Sequence, residues 1–204
     1  MPRFGLEVRD TLPPRNRDVI PVLVDLFKRL EIENGAGITL LTVPKGLSLE
    51  SVDESARDPL KGNSTNIRYC LDDVREQLGC EKVGNTYYVL ITEGLINGSR
   101  EKSVEEQKAL VEEKGCVVPT CLSLVTLNLL TYITTFEPDP PRLYTSLDND
   151  RYYTISRSVE TIKNYDGLDC TVSVGNYDPE GLLVTHVHHC FDCNAVGVAA
   201  MWKF

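Results

Sequence analysis

Apolar residues along this chain recur at helical and strand periods up to residue 136, and in a mainly strand-like pattern after it. Val19, Leu23, Leu26, Phe27 and Leu30 fall on one face of a helix that would end near Gly35. Ile38 to Val43 is a short β-branched run closed by Pro44, which predicts a buried strand. Leu49 and Val52 predict a brief helix that stops before Pro59. Leu71 to Leu78 predicts another, with Asp72 and Asp73 where the helix dipole favours carboxylates and Gly79 at its end. Tyr87 to Thr92 is the clearest strand of this part, rich in aromatic and β-branched residues. Ser103 with Glu106 three residues on forms a capping box, so a polar helix should run from there to Gly115. Val118-Pro119-Thr120 then opens the most apolar helix, with Leu122, Val125, Leu129 and Ile133 on one side. That helix is expected at the centre of the core.

Glu137-Pro-Asp-Pro-Pro141 is the main punctuation, a soft internal boundary in what reads as one domain over residues 1–204. Beyond it, Thr171 to Val174, Leu182 to His188 and Val196 to Phe204 predict strands. Turns are assigned to Gly167, to Gly175 with Asn176, and to Asp178-Pro-Glu-Gly181. The expected class is α+β: helices and short strands followed by a C-terminal antiparallel β-meander.

Composition narrows the partners. A hydrophobic fraction of 42% and a charged fraction of 25% are ordinary for a globular chain, so disorder is not the expectation. The net charge of −9, with lysine and arginine scattered, argues against nucleic acid as a main partner. The N-terminus lacks an apolar signal core. The longest apolar stretch, Leu122 to Ile133, is interrupted by Ser123, Thr126, Asn128, Thr131 and Tyr132, too polar for a membrane span. Seven cysteines without a regular framework favour reduced thiols. A cytoplasmic protein is expected, or one exported without a cleaved signal peptide.

All three histidines lie in His186-Val-His188-His189-Cys190-Phe191-Asp192-Cys193. Residues two apart on a strand share a face, so His186, His188 and Cys190 would project together. Cys193 joining through a turn would complete a nitrogen and sulfur set that suits zinc, with Asp192 as a nearby base. Against this, zinc ligands usually come from two separated elements. No second Cys/His pair is present, although Cys170 on a neighbouring strand could contribute. The plain alternative is a half-exposed strand and loop. Cys190 and Cys193 have redox spacing but no predicted helix N-terminus to lower the thiol pKa.

Other candidates are weaker. Lys61-Gly-Asn-Ser-Thr65 has its lysine before the glycine and reads as a polar turn rather than a phosphate loop. Asp148-Asn-Asp150 begins like a calcium loop but lacks the later glycine and glutamate. No nucleophile elbow of the Gly-x-Ser-x-Gly kind is present.

Two stretches carry a resemblance. Tyr88-Val-Leu-Ile-Thr92, Gly98-Ser-Arg-Glu-Lys-Ser103, Glu106-Gln107, Leu110-Val111 and Val118-Pro-Thr120 form one; Val196-Gly-Val-Ala-Ala-Met-Trp-Lys-Phe204 forms the other. Together they resemble an uncharacterised protein family of intracellular bacteria that reads WVLMTRDV…GSRNKS…Q..LV and ends in GVAGLRKF, over residues 38 to 204. That family is distantly similar to the C-type-lectin-like fold of formylglycine-generating enzymes and of the variable proteins of diversity-generating retroelements. Ala199 and Trp202 stand where arginines would be expected, and the catalytic cysteines of the enzyme branch have no counterpart, so enzymatic activity is not carried over. The resemblance implies a ligand-binding face just before the last strand. Tyr177, Asp178, His186, His188, His189, Phe191, Asp192 and Asn194 would line it, offering ring faces and hydrogen bonds together. The expectation is therefore a non-catalytic binding module for a protein or glycan, without cofactor. The alternative is a structural or hydrolytic zinc protein using His186, His188, Cys190 and Cys193.

Overall fold

The computed structural model describes residues 24–26, 28–32, 36–134, 155–178, 180–188 and 194–204. The punctuation at 137–141, the Asp148–Asp150 segment and Val19, Leu23, Phe27 and Gly35 of the first helix lie outside them. Residues 24–26 and 28–29 are helical, with Leu26 and Leu30 buried as their spacing predicts.

The described chain is α+β. Its strands are β1 (Ile38–Val43), β2 (Ile67–Tyr69), β3 (Tyr87–Thr92), β4 (Ile155–Lys163), β5 (Asp169–Asp178), β6 (Gly181–His188), β7 (Val196–Val198) and β8 (Met201–Lys203). The helices following residue 36 are α1 (Leu49–Arg57), α2 (Asp72–Leu78), α3 (Val104–Glu113) and α4 (Cys121–Thr134). One sheet is three-stranded and antiparallel, in the order β1-β3-β8. The other has the order β2-β6-β5-β4-β7. Within it β4, β5 and β6 form an antiparallel meander, to which 171–174 and 182–188 belong as expected, while β7 (from the expected strand 196–204) runs parallel to β4 and β2 runs parallel to β6.

α4 lies at the centre. Residues Ser123 to Leu129 are all buried, so this helix is covered on nearly every side and packs against α1 and strands of both sheets. Leu124, Val125, Leu127 and Leu129 join one core with Val89 and Ile91 of β3 and with Val172, Val174, Leu182 and Val184 of the meander. Leu90, on the opposite face of β3, enters a second core with Leu26, Leu30, Ile96 and Val111. Coverage on both faces explains why Tyr87 to Thr92 reads as an unbroken apolar run rather than an alternating one.

Three expectations are corrected. β4 was not foreseen, because between its buried ends Ile155 and Ile162 the residues it buries are the polar Ser156, Arg157 and Ser158. Gly175 and Asn176 are not a turn; they lie inside β5, where its register with β6 shifts between Val174 and Tyr177. Val196 to Phe204 is not one strand. It divides at Ala199-Ala200, and its two parts belong to different sheets. The crossing is polar on its inside: Ala199 N–H donates to Ser156 Oγ and Ala200 N–H to Thr92 Oγ1, each at 3.0 Å. Two strands of different sheets thus supply hydroxyls to backbone groups that no ladder could reach.

Local capping follows the residue pattern. Ser103 Oγ accepts from Glu106 N–H at 3.2 Å, and Glu106 Oε2 accepts from Ser103 N–H at 2.9 Å, completing the capping box. Gly181, at φ +122°, closes the β5–β6 hairpin. A Cβ there would come within 2.3 Å of the Asn66 carbonyl, whose oxygen binds Leu182 N–H.

Candidate functional site

The described residues among those singled out near the C-terminus lie at two ends of the larger sheet. His188 lies opposite Cys170, which lies opposite Ile162, at the Lys163–Asp169 end of the larger sheet. Tyr177 and Asp178 pair with Leu182 and Gly181, beyond Gly175, which pairs with Ile155 at the other end. Asn194 precedes Val196, which also pairs with Ile155. The described members therefore fall into two groups: Tyr177, Asp178 and Asn194 at one end, His186 and His188 at the other. His189, Cys190, Phe191, Asp192 and Cys193 lie outside the described residues.

His186 and His188 do share a face, as strand periodicity requires. It is the face of Leu182 and Val184, turned toward the core and α2. His186 is nearly enclosed, its side chain 9% exposed, with Nε2 3.4 Å from Asp73 Oδ2 in the first turn of α2. It is a packed histidine facing a carboxylate. Cys170 sits beside His188 in register and is buried; burial, and then the charges of Asp169 and Asp73, push its thiol up. Among the described residues, no three His, Cys, Asp or Glu side chains are grouped to hold a metal ion.

A different site stands out at the C-terminal end of α2, whose Leu78 lines it. A cleft of about 600 Å³ opens where the entry to α4, the 81–86 loop, β4 and the end of β8 meet. Thr120 caps α4: its Oγ1 accepts from Ser123 N–H at 3.1 Å and donates to Ser123 Oγ at 2.7 Å. Tyr87 reaches the same hydroxyls, its oxygen 3.1 Å from Ser123 Oγ. Lys203 Nζ lies over the Tyr87 ring, 4.8 Å from its centre. Leu49, Leu78 and Leu122 supply the apolar wall.

Glu160 lines this cleft together with the charged Glu81, Lys82 and Lys203. It projects from the irregular part of β4, where the register with β5 shifts between Arg157 and Thr161, and Oε2 accepts from Cys121 N–H at 2.8 Å. Burial pushes its carboxyl pKa up, a hydrogen bond from Ser158 and backbone N–H bonds pull it back, and the charge of Glu81 pushes it up further. Behind it, burial and the Glu160 charge raise the Cys121 thiol well above its ordinary range. Such a thiol holds its proton and is a poor nucleophile.

The sequence reading missed Glu160, Tyr87 and Lys203 as neighbours. The Val118-Pro119-Thr120 helix entry was visible, but the carboxylate that serves it comes from a strand whose buried Ile155 and Ile162 are separated by mostly polar residues.

A second polar cluster lies on the other face of β4. Arg157 is 2% exposed, and its Nη1 donates to Lys102 O at 3.0 Å and Gln107 Oε1 at 3.1 Å. Gln107 in turn donates to Ser99 O at 2.7 Å and Val196 O at 3.3 Å, tying α3 to β4 and β7. These bonds fix the joint between elements.

Compared with protein-family models, curated proteins and solved structures, the chain matches none. No described helix is long and apolar enough to cross a membrane.

Proposed function

We propose that this chain is a non-catalytic ligand-binding protein whose ligand occupies the cleft at the entry to α4. The observation that carries this reading is the cleft itself. Its volume of about 600 Å³ is that of a small-molecule or side-chain site, and it joins an apolar wall to a few fixed polar groups. The groups nearest to chemistry are already committed. Glu160 holds the first turn of α4, and the Cys121 thiol is buried and protonated, so binding is favoured over covalent or acid–base catalysis. A C-type-lectin-like architecture belongs to the same proposal. It rests on the Val118-Pro119-Thr120 entry to a central helix and on the closing strand Met201–Lys203.

A fragment library screened by amide chemical-shift mapping tests the site. Binders should perturb the amides of Asn85, Thr86, Cys121 and Glu160, and Asn85→Trp, which fills the exposed rim, should remove them. A library whose binders all map elsewhere would overturn the assignment.

A further inference from the structure

We infer that two copies of this chain pair edge to edge through β1, joining two three-stranded sheets into one of six strands. Backbone parity decides which groups of β1 point outward. Glu93 N–H donates to Gly37 O at 2.9 Å, so in the β1–β3 register Gly37, Thr39, Leu41 and Val43 are the residues bonded to β3. Thr92 N–H turns the other way, toward β8, and donates to Ala200 O at 3.0 Å. Ile38, Leu40 and Thr42 therefore present their N–H and C=O groups at the free edge, where no described residue bonds them.

The other edge strands have partners for outward groups. On β7, Val198 N–H donates to Ser99 Oγ at 3.1 Å, and the Val196 and Val198 carbonyls accept from Gln107 Nε2 at 3.3 Å and Ile96 N–H at 2.9 Å. On β8, Met201 exchanges backbone bonds with Val117. On β2, Ile67 N–H is held by Asp53 Oδ1 at 2.6 Å. Edge strands are ordinarily guarded by such cover, by proline or by charge. β1 has none of these guards: Ile-Thr-Leu-Leu-Thr-Val carries neither a charge nor a proline.

A second copy is the occupant this edge fits. With two strands antiparallel about a two-fold axis, Leu40 lies opposite its own copy and Ile38 opposite Thr42. Each outward N–H then meets an outward C=O of the other chain. The Ile38 and Leu40 side chains pack on the second core, and their apolar layer would continue across the joint. The ends of the strand are complementary in charge as well. Exposed Lys45 follows one end of β1, and the Glu93 carboxylate lies at the other, against Gly37 and accepting from Thr39 Oγ1. Antiparallel pairing brings the Lys45 end of one chain to the Glu93 end of the other.

The test is sedimentation velocity of the full chain from about 10 μM to about 1 mM, with amide hydrogen exchange followed by NMR over the same range. A reversible dimer should form, and the amides of Ile38, Leu40 and Thr42 should exchange more slowly as concentration rises. Those of Thr39, Leu41 and Val43, already bonded within the sheet, should not change. Thr42→Pro removes an outward N–H from an exposed position, where no bond within the chain uses it, and should raise the dissociation constant roughly tenfold or more. Thr42→Lys leaves the backbone as it is and adds the charge that guards natural edges; it should weaken the dimer by about threefold or more. The lysine variant decides the matter where the proline variant does not fold. A chain that stays monomeric to about 1 mM overturns the proposal. A dimer that leaves the Ile38, Leu40 and Thr42 amides unprotected, or that Thr42→Lys does not weaken, overturns it too. If the chain stays monomeric while a peptide carrying Ile-Thr-Leu-Leu-Thr-Val between lysines protects the same amides, the edge receives a foreign strand and self-pairing is overturned.

Discussion

Cys121 N–H donates to Glu160 Oε2 across 2.8 Å, so the first turn of the central helix is held by a carboxylate 39 residues further along the chain. A helix N-terminus leaves its first N–H groups without intrahelical acceptors, and an anion there is favoured by the aligned peptide dipoles. Thr120 serves Ser123, and Glu160 serves Cys121. The same contact anchors β4 to α4 and sets the floor of the cleft.

Glu160→Ala should therefore destabilise the protein by about 1–2 kcal/mol, the range for losing a helix-capping acceptor. Glu160→Gln keeps an acceptor and should cost less. Because burial raises the folded-state pKa, the unfolded chain gives up this proton first as pH rises. The favourable contribution is complete below the ordinary glutamate value of 4.5 and is lost as pH rises through the higher folded value. In urea unfolding from pH 4 to 8, wild type should lose stability relative to Glu160→Gln as pH increases. A gap that moves the other way would contradict the burial argument.

The Arg157–Gln107 joint predicts strong coupling. Gln107→Leu leaves Ser99 O and Val196 O without their donor and removes one acceptor of Arg157 Nη1. It should cost about 2–4 kcal/mol. Combined with Arg157→Met, the double change should cost less than the sum of the two by roughly 0.5–3 kcal/mol. Additive losses would mean that the two side chains act separately.

His186 and His188 should differ, although they share a strand face. His186 is nearly enclosed against Asp73, whereas His188 is exposed. His186→Ala is expected to cost about 1–3 kcal/mol, and His188→Ala to stay within about 0.5 kcal/mol. Thermal unfolding with and without a chelator should superimpose. A Tm that falls on chelation, together with an equal loss in both variants, would replace packing with a metal site.

The capping box of α3 supplies a pH dependence of the opposite sign. Hydrogen bonds from the Ser103 backbone and side chain hold the Glu106 carboxyl below its ordinary value of 4.5. Its contribution is present above that value and is lost as pH falls through the lower folded one. Ser103→Ala should cost about 1 kcal/mol at pH 7, the usual loss for a capping serine. The cost should shrink at pH 3. An unchanged cost at low pH would mean that the carboxylate does not take part.

Much of the architecture was legible where burial and hydrophobicity coincide. β1, β3 and α4 are apolar runs inside the cores, and α3 begins at its capping box. The site was far less legible. The three histidines drew attention because they are adjacent in sequence, yet β6 turns His186 into the protein and leaves His188 at its edge. Strand register then sends Tyr177, Asp178 and Asn194 to the other end of the sheet.

By itself, then, the residue order determined which stretches bury an apolar face, where the capping box starts a helix and that the tail forms an antiparallel meander. These follow from local periodicity and backbone chemistry, which act over a few residues. Tertiary structure alone decided that Ser156, Arg157 and Ser158 form a buried strand, because polar groups enter a core only when distant partners satisfy them. It also decided that Val196 to Phe204 joins two sheets and that Glu160 meets Cys121. A hydrogen bond between residues far apart in the chain leaves no period to read, and the cleft is made of such bonds.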